Sequence, residues 1–318
     1  MRGGGCSITR LRFRDGRNGN KKGLKALSQI AFWGAVELGL VYSFVALGVY
    51  LAFRVLDFPD LTVDGSFPLG AAVTAVLIIA GVNAWLAALI AMAAGAAAGM
   101  VTALLNVRFK ILNLLASILT MIALFSVNLR VMGKPNVALI NADTMISPFF
   151  GHGLRDFYVR PLFVGVLVIV ALVLVWRFLE SDAGLAMRAT GANARMARAQ
   201  GVDTSRQIYL GMAISNALVA FGGALFAQTN GFADVTSGVG TIVVGLAAVI
   251  IGETLLGRRG LLIALIGCVL GSILYRIAIQ LALSSDVIGL QASDLNFVTA
   301  VLVTFALILP RLRRGAAS

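Results

Sequence analysis

The sequence predicts an all-α polytopic membrane protein with about 8 transmembrane helices plus one re-entrant or broken segment. Three observations carry that expectation. Of 318 residues, 59% are hydrophobic and only 13% charged, and the mean hydropathy is +0.93. A soluble domain so composed has too few charged groups to cover its outside. Several stretches also run nearly uncharged for the roughly 20 residues that a helix needs to cross a bilayer core. Finally, the formal net charge of +12 collects at the ends of those stretches. That placement fits loops facing anionic membrane lipid and argues against a nucleic-acid partner.

Residues 1–28 hold Arg2, Arg10, Arg12, Arg14, Arg17, Lys21, Lys22 and Lys25 against Asp15 and are expected as a disordered, basic cytoplasmic tail. The apolar run Ile30 to Phe53 is too long for a signal-peptide core, so an uncleaved first span is expected, opening a transmembrane domain over 29–314. Spans are expected at 31–53, 84–105, 111–132, 160–179, 208–228, 238–256, 261–283 and 295–310. Basic residues assign the sides. The N-terminus, the 180–207 loop, Arg258 and Arg259, and Arg311, Arg313 and Arg314 all read as cytoplasmic.

Parity then constrains the leftover stretch 67–82. If the first span leaves the cytoplasm, Asp57, Asp60 and Asp64 emerge on the far side, while Arg108 and Lys110 read as cytoplasmic. An odd number of crossings must lie between, so 67–82 should re-enter without crossing or share one broken crossing with its neighbour. "DFPDLTVDGSFPLG" supplies Pro59, Gly65, Pro68 and Gly70, the punctuation that such a break requires. A discontinuous helix beside a solute path makes Asp64, Ser66 and Phe67 candidate path residues. Gly95 and Gly99, and Gly267 and Gly271, have the spacing that lets helix backbones approach closely.

Catalytic chemistry has no visible home. Gly133-Lys134 runs into Pro135 and lacks the upstream glycine of a phosphate-binding loop, and no H-E-x-x-H or G-x-S-x-G occurs. Cys6, Cys268 and the lone His152 stand apart, so neither a metal site nor a disulfide framework is expected. Charges within spans are therefore informative. Arg276 lies beyond mid-membrane and reads as a counter-charge for a solute carboxylate or for Asp64, or as a snorkelling headgroup contact. Glu253 suits a local pair near Arg258 and Arg259, and Glu37 a contact with the tail or headgroups.

The segment "RATGANARMARAQGVDTSRQ" is ordered-looking and basic. "LAMRAT" suits a short helix stopped at Gly191, and Asn193 suits the cap of a second, "ARMARAQ", which Gly201 ends. Ala194 and Ala197 share one face of it, and Arg195 and Arg198 another.

"GLAMRATGANARMARAQGVDTSRQIYLGMAISNALVAFGGAL" resembles the cytoplasmic loop of ABC importer permeases of the ribose and branched-chain amino acid superfamily. The family pattern G-x-x-x-R-A-x-G-x-N-x-x-x-A-x-x-x-G-[IV] matches Gly184, Arg188, Ala189, Gly191, Asn193, Ala197, Gly201 and Val202. "VVGLAAVIIGETLLGRRGLLIALIGCVLGSILY" is similar to the segment around that family's glycine-rich cytoplasmic turn. "LDFPDLTVDGSFPLGAAVTA" looks like a subfamily encoded with a periplasmic binding protein and a separate ATPase, some of them linked to aromatic amino acids. The resemblance spans about residues 33–310.

What it implies is a permease subunit of a binding-protein-dependent importer in the inner membrane, for a small solute such as an amino acid. The resemblance further implies a transport subunit and not an enzyme, one that is expected to bind no cofactor itself, with ATP used by a partner ATPase. A periplasmic or lipoprotein solute-binding protein is the second partner expected, and a second copy of the chain is expected to complete a homodimer. Arg188, Gly191, Asn193, Ala194, Ala197 and Gly201 fall in the segment that resembles the ATPase-coupling loop. The alternative is an ion-coupled secondary carrier, which calls for a chain of acids deep in the spans, and the sequence has none.

Overall fold

The computed structural model describes residues 17–140, 143–147, 156–257 and 260–284, with positions 301 and 304. Most of the expected span 295–310 lies outside the described residues, as do residues 1–16, His152, Arg258, Arg259, Arg311, Arg313 and Arg314. Helix α1 runs Arg17–Val49 and continues as π-helical turns over Tyr50–Val55. It thus takes in residues 17–28, which were expected to be disordered. The lysines, leucines and alanine of "KKGLKAL" are good helix formers and extend the apolar helix backwards.

The chain continues through α2 (Val63–Ile79), α3 (Ala84–Val107), α4 (Asn113–Met132) and strand β1 (Asn136–Ala138). Then come α5 (Asp156–Glu180), α6 (Asp182–Ala192), α7 (Ala194–Ala199) and α8 (Thr204–Asn230). Strand β2 (Phe232–Asp234), α9 (Thr241–Leu256) and α10 (Leu261–Ser284) follow. Among the described residues, 7 helices are long and apolar enough to cross a membrane, and α2 is too short to do so unaided. The chain is an all-α polytopic membrane protein.

β1 and β2 pair antiparallel and tie the ends of α4 and α8 together at one end of the bundle. Burial alone would raise the Asp234 carboxyl, but hydrogen bonds from Thr236 and Asn136 together hold it below its ordinary value. The opposite end carries α6 and α7. Glycine contacts show how the helices run between the two ends. A Cβ on Gly95 would lie 2.3 Å from the Cβ of Ala220, and one on Gly99 would lie 2.2 Å from the Met212 carbonyl oxygen. Helix α3 is therefore antiparallel to α8, and Arg108 lies at the α6 end.

The same reading reverses the expected direction of α1. A Cβ on Gly191 in α6 would sit 2.0 Å from the Val55 carbonyl oxygen, so α1 finishes at the α6 end. At its other end Trp33 meets Tyr158, at the start of α5, with ring centroids 5.0 Å apart. The beginning of the first span and the 180–207 segment hence lie at opposite ends of the bundle, and both cannot face the cytoplasm. Basic residues had assigned both to one side. Packing decides otherwise, and charge near the first helix sets orientation usually rather than always.

The parity argument changes with it. Two crossings, α2 and α3, now fit between the end of α1 and Arg108, so α2 does not turn back. It packs against both strands of the ribbon and, with the extended residues 56–62, makes one broken crossing.

Small residues set the closest contacts. A Cβ on Gly70 would lie 1.9 Å from the Ala220 carbonyl oxygen, and one on Gly223 would lie 1.9 Å from that of Phe67. Gly267 and Gly271 pack on Gly252 and Ala248 of α9. Both expected small-residue pairs are thus taken up inside the chain. Glu37, expected beside the tail or headgroups, is near enough to Arg160 to feel its charge.

Candidate functional site

Residues 56–62 enter the bundle from the α6 end with no helix of their own. Asp57 bends the chain with φ +55°, and Pro59 keeps it extended. At membrane depth the polar groups of such a stretch need partners within the protein. Asp60, fully buried, accepts from the Thr62 backbone N–H at 2.9 Å and from Asn216 Nδ2 at 2.8 Å. Asn216 Oδ1 in turn accepts from Ser66 Oγ at 2.7 Å. The Thr62 and Thr102 hydroxyls meet at 2.8 Å, and Asn128 donates to the Gly65 carbonyl at 3.2 Å. Asn216 stands twelve residues into α8. At 1.5 Å per residue that is roughly 18 Å from the α6 end, near the middle of a membrane.

Helix α2 then starts inside the bundle, with its opening turn held by α3, α4 and α8. Pro68 has no N–H for the Asp64 carbonyl. The Gly238 backbone packs over that freed oxygen, which would lie 2.0 Å from any Cβ there. The Asp64 side chain turns to another helix and accepts from the backbone N–H groups of Gly240 (3.2 Å) and Ile242 (2.7 Å). Gly240 has φ +81° and no side chain to cap α9, so Asp64 supplies the cap from α2.

Arg276 is accordingly not the partner of Asp64. Its guanidinium carbon lies 3.9 Å from the centroid of the Tyr42 ring, a cation–π geometry, and its buried Nε has no hydrogen-bond partner among the described residues. Tyr42 stacks on Phe67 (5.4 Å), which meets Phe226 (5.4 Å), and Phe226 meets Phe232 (6.2 Å). Of the four expected path residues, Phe67 and Arg276 are joined through Tyr42. Ser66 belongs to the Asp60–Asn216 network, and Asp64 to the α9 cap. Sequence reasoning passed over Tyr42, Asn216 and Phe226, and it set Asp60 at the far side of the membrane, whereas the structure buries it in this network. Only the Asp60-Leu61-Thr62 spacing, suited to a side chain accepting from the backbone two residues on, was a legible signal.

At the α6 end the expected turn chemistry is present in part. Asn193 Oδ1 accepts from the backbone N–H groups of Arg195 and Met196, both at 3.1 Å, and caps α7. Gly201, with φ +86°, ends it. Gly191 does not stop α6, which runs on to Ala192. Its missing side chain serves the contact with Val55 instead. Ala197 is 4% exposed and turned into the chain, whereas Met196 is 60% exposed. The outward face of α7 therefore carries Arg195, Met196 and Ala199, with Ala194 half-buried and Arg188 exposed on α6. Arg198 Nε donates to Thr204 Oγ1 at 2.8 Å and ties α7 to α8. Beside this segment Arg54 pairs with Glu253 through two hydrogen bonds, the Nη2–Oε2 one at 2.6 Å. That is the local pair expected of Glu253, made with a partner from α1.

The elements thus form a polytopic helical membrane bundle with a broken crossing at mid-depth and a capped helix pair at one end. The family described as "Branched-chain amino acid transport system / permease component" matches residues 33–309, and the chain belongs to it. It is an ABC importer permease, a transport component and not an enzyme, of a family that works with ATPase and solute-binding subunits. It is 37% identical over 265 residues, 83% of this chain and 86% of the relative, to the tyrosine transport system permease protein of Clostridioides difficile (strain R20291). It is 28% identical over 221 residues to the galactofuranose transporter permease protein of Escherichia coli (strain K12), covering 66% of this chain and 61% of the relative. PsaBC from Streptococcus pneumoniae in complex with Fab superposes with a TM-score of 0.49 at 15% identity, over 87% of this chain and 90% of that one.

Proposed function

We propose that the chain is the membrane subunit for ATP-driven uptake of an amino acid, with an aromatic one as the first candidate. The observation that carries this reading is the guanidinium of Arg276 set over Tyr42 within the Tyr42–Phe67–Phe226–Phe232 cluster, beside the broken helix. Aromatic faces suit a ring, and a guanidinium suits a carboxylate. The 37% identity to a permease named for tyrosine transport supports the same class.

In this reading α6 and α7 face the cytoplasm and receive a separate ATPase, which alone binds ATP. A binding protein delivers solute to the ribbon end, and a second copy of the chain completes the path in the plasma membrane. Helix α1 then begins outside and runs inward.

The test is uptake of radiolabelled L-tyrosine by proteoliposomes containing the permease, its ATPase and its binding protein. Uptake should require ATP and fall to background when Arg276 is changed to Gln. Uptake by the permease alone, driven by a proton or sodium gradient, would establish the secondary carrier instead.

A further inference from the structure

Helix α9 is anchored at both ends by charged side chains from other helices, and the two anchors lie at different depths. At the α6 end Glu253, in its last turn, holds Arg54 by the paired hydrogen bonds described above. Arg54 immediately precedes Val55, whose carbonyl meets Gly191 of α6 with no room for a Cβ. At the other end the Asp64 carboxylate caps the N-terminus of α9. Asp64 stands in the opening turn of α2, two residues before Ser66, which belongs to the network that holds the broken crossing. Helix α9 is sixteen residues of uninterrupted helix, and the anchors at Ile242 and Glu253 stand about 17 Å apart along it. It is backed by α10, where a Cβ on Gly271 would lie 2.0 Å from the Ala248 carbonyl oxygen.

We propose that Arg54, Glu253 and Asp64 are positioning residues that make α9 a strut, carrying displacement of α6 to the first turn of α2. The inference rests on the reading that an ATPase docks at α6 and α7. A packed helix moves as a rigid body, and a displaced end drags what is bonded to the other. The bidentate pair fixes both orientation and distance. The Asp64 carboxylate links two helices whose N-cap residues, Thr62 of α2 and Gly240 of α9, make no side-chain cap of their own. A competing route exists through the backbone of residues 56–62, and the experiment must separate the two.

The permease–ATPase complex in lipid nanodiscs is followed by hydrogen exchange, with ATP alone and with ATP plus orthovanadate. In the wild type, vanadate should change protection both in α6 and at Val63–Phe67. Arg54→Gln and Glu253→Gln should keep the response in α6 and lose it at Val63–Phe67. Reversal of the pair, Arg54→Glu with Glu253→Arg, should restore it, which a merely destabilising change would not do. Asp64→Ala should lose the response and Asp64→Asn keep it, because an amide oxygen still accepts from α9. A response at Val63–Phe67 that survives Glu253→Gln assigns transmission to residues 56–62 and overturns the strut. A reversed pair that retains the ATPase without regaining the response also overturns it. Failure of the wild type to retain any ATPase sinks the functional reading, and the strut with it.

Discussion

Helices α5 and α8 are both long enough to cross a bilayer, yet the more apolar of them, α5, is the less buried. Along α8 the buried positions include Gly211, Ser215, Asn216, Gly222, Gly223 and Gln228, small or polar residues. Along α5 the outward positions are Leu162, Ile169 and Leu174, exposed by 70%, 63% and 65%. A soluble protein would show the reverse. In a bilayer the surroundings are as apolar as leucine, so burial is driven by close packing and hydrogen bonds. The inside of this molecule is marked by what lets backbones touch, and the outside by what dissolves in lipid.

The sharpest way to break this contrast is to put bulk into the α8 seam. Gly70→Val places its first carbon about where the Ala220 carbonyl oxygen sits, 1.9 Å away, with more backbone at 2.6 Å. Neither helix can yield without opening the seam, and overfilling a packed interior costs typically 1–3 kcal/mol even where neighbours can move. The Cβ of Gly165→Val on α5 meets within 4 Å only the Leu40 Cδ1 atom, at 3.8 Å. Fluorescence-detected size exclusion of tagged variants should show no monodisperse Gly70→Val protein and a normal Gly165→Val peak. Equal peaks would mean that the seam is looser than its geometry.

Next in size is α7. Ala197, turned inward, has no space for an indole, so Ala197→Trp should lower the apparent melting temperature of the permease even without an ATPase. Met196→Asp, on the exposed face, should leave melting unchanged and reduce ATPase retention on co-purification. If Ala197→Trp melts like the wild type and only loses the ATPase, Ala197 faces the partner after all.

These positions also show what a sequence can disclose. The spans were legible because length and apolarity are local, and so was the Asn193 cap, since a capping side chain reaches only two or three residues along. The inward face of Ala197 and the contact of Gly191 with Val55 were not, because each is settled by a helix distant in sequence. The direction of α1 was misread because the rule for sidedness weighs charge, whereas Trp33–Tyr158 and Val55–Gly191 contacts fix which end meets which. Asp60 was misplaced for a related reason. Nothing beside it announces that Asn216 will come to its carboxylate from another helix.

That carboxylate gives a third, smaller effect. Asn216→Leu keeps volume while leaving an Asp60 oxygen and the Ser66 hydroxyl without a partner that they now have. Each unsatisfied buried group costs about 1–3 kcal/mol. Asp60→Asn retains an acceptor for the Thr62 N–H and should cost less. Thermal melting in detergent should rank wild type above Asp60→Asn, and that above Asn216→Leu. An Asn216→Leu protein as stable as the wild type would show that water satisfies these groups.

The smallest effect belongs to α5, and it tests the contrast from the lipid side. Leu174→Ala removes three carbons from a side chain that is 65% exposed, where acyl chains flow into any space left behind. No cavity forms, and the surroundings are apolar before and after, so the change should stay within about 0.5 kcal/mol. Val168, on the same helix, is 1% exposed and packed into the core. Val168→Ala removes fewer carbons but leaves a gap that neither lipid nor protein fills completely, for a loss on the order of 1 kcal/mol. Melting of the two variants side by side in nanodiscs should therefore place the smaller truncation lower. Should Leu174→Ala be the less stable, the outward face of α5 is covered by protein in the assembled transporter, and a second copy of the chain becomes the first candidate for what covers it.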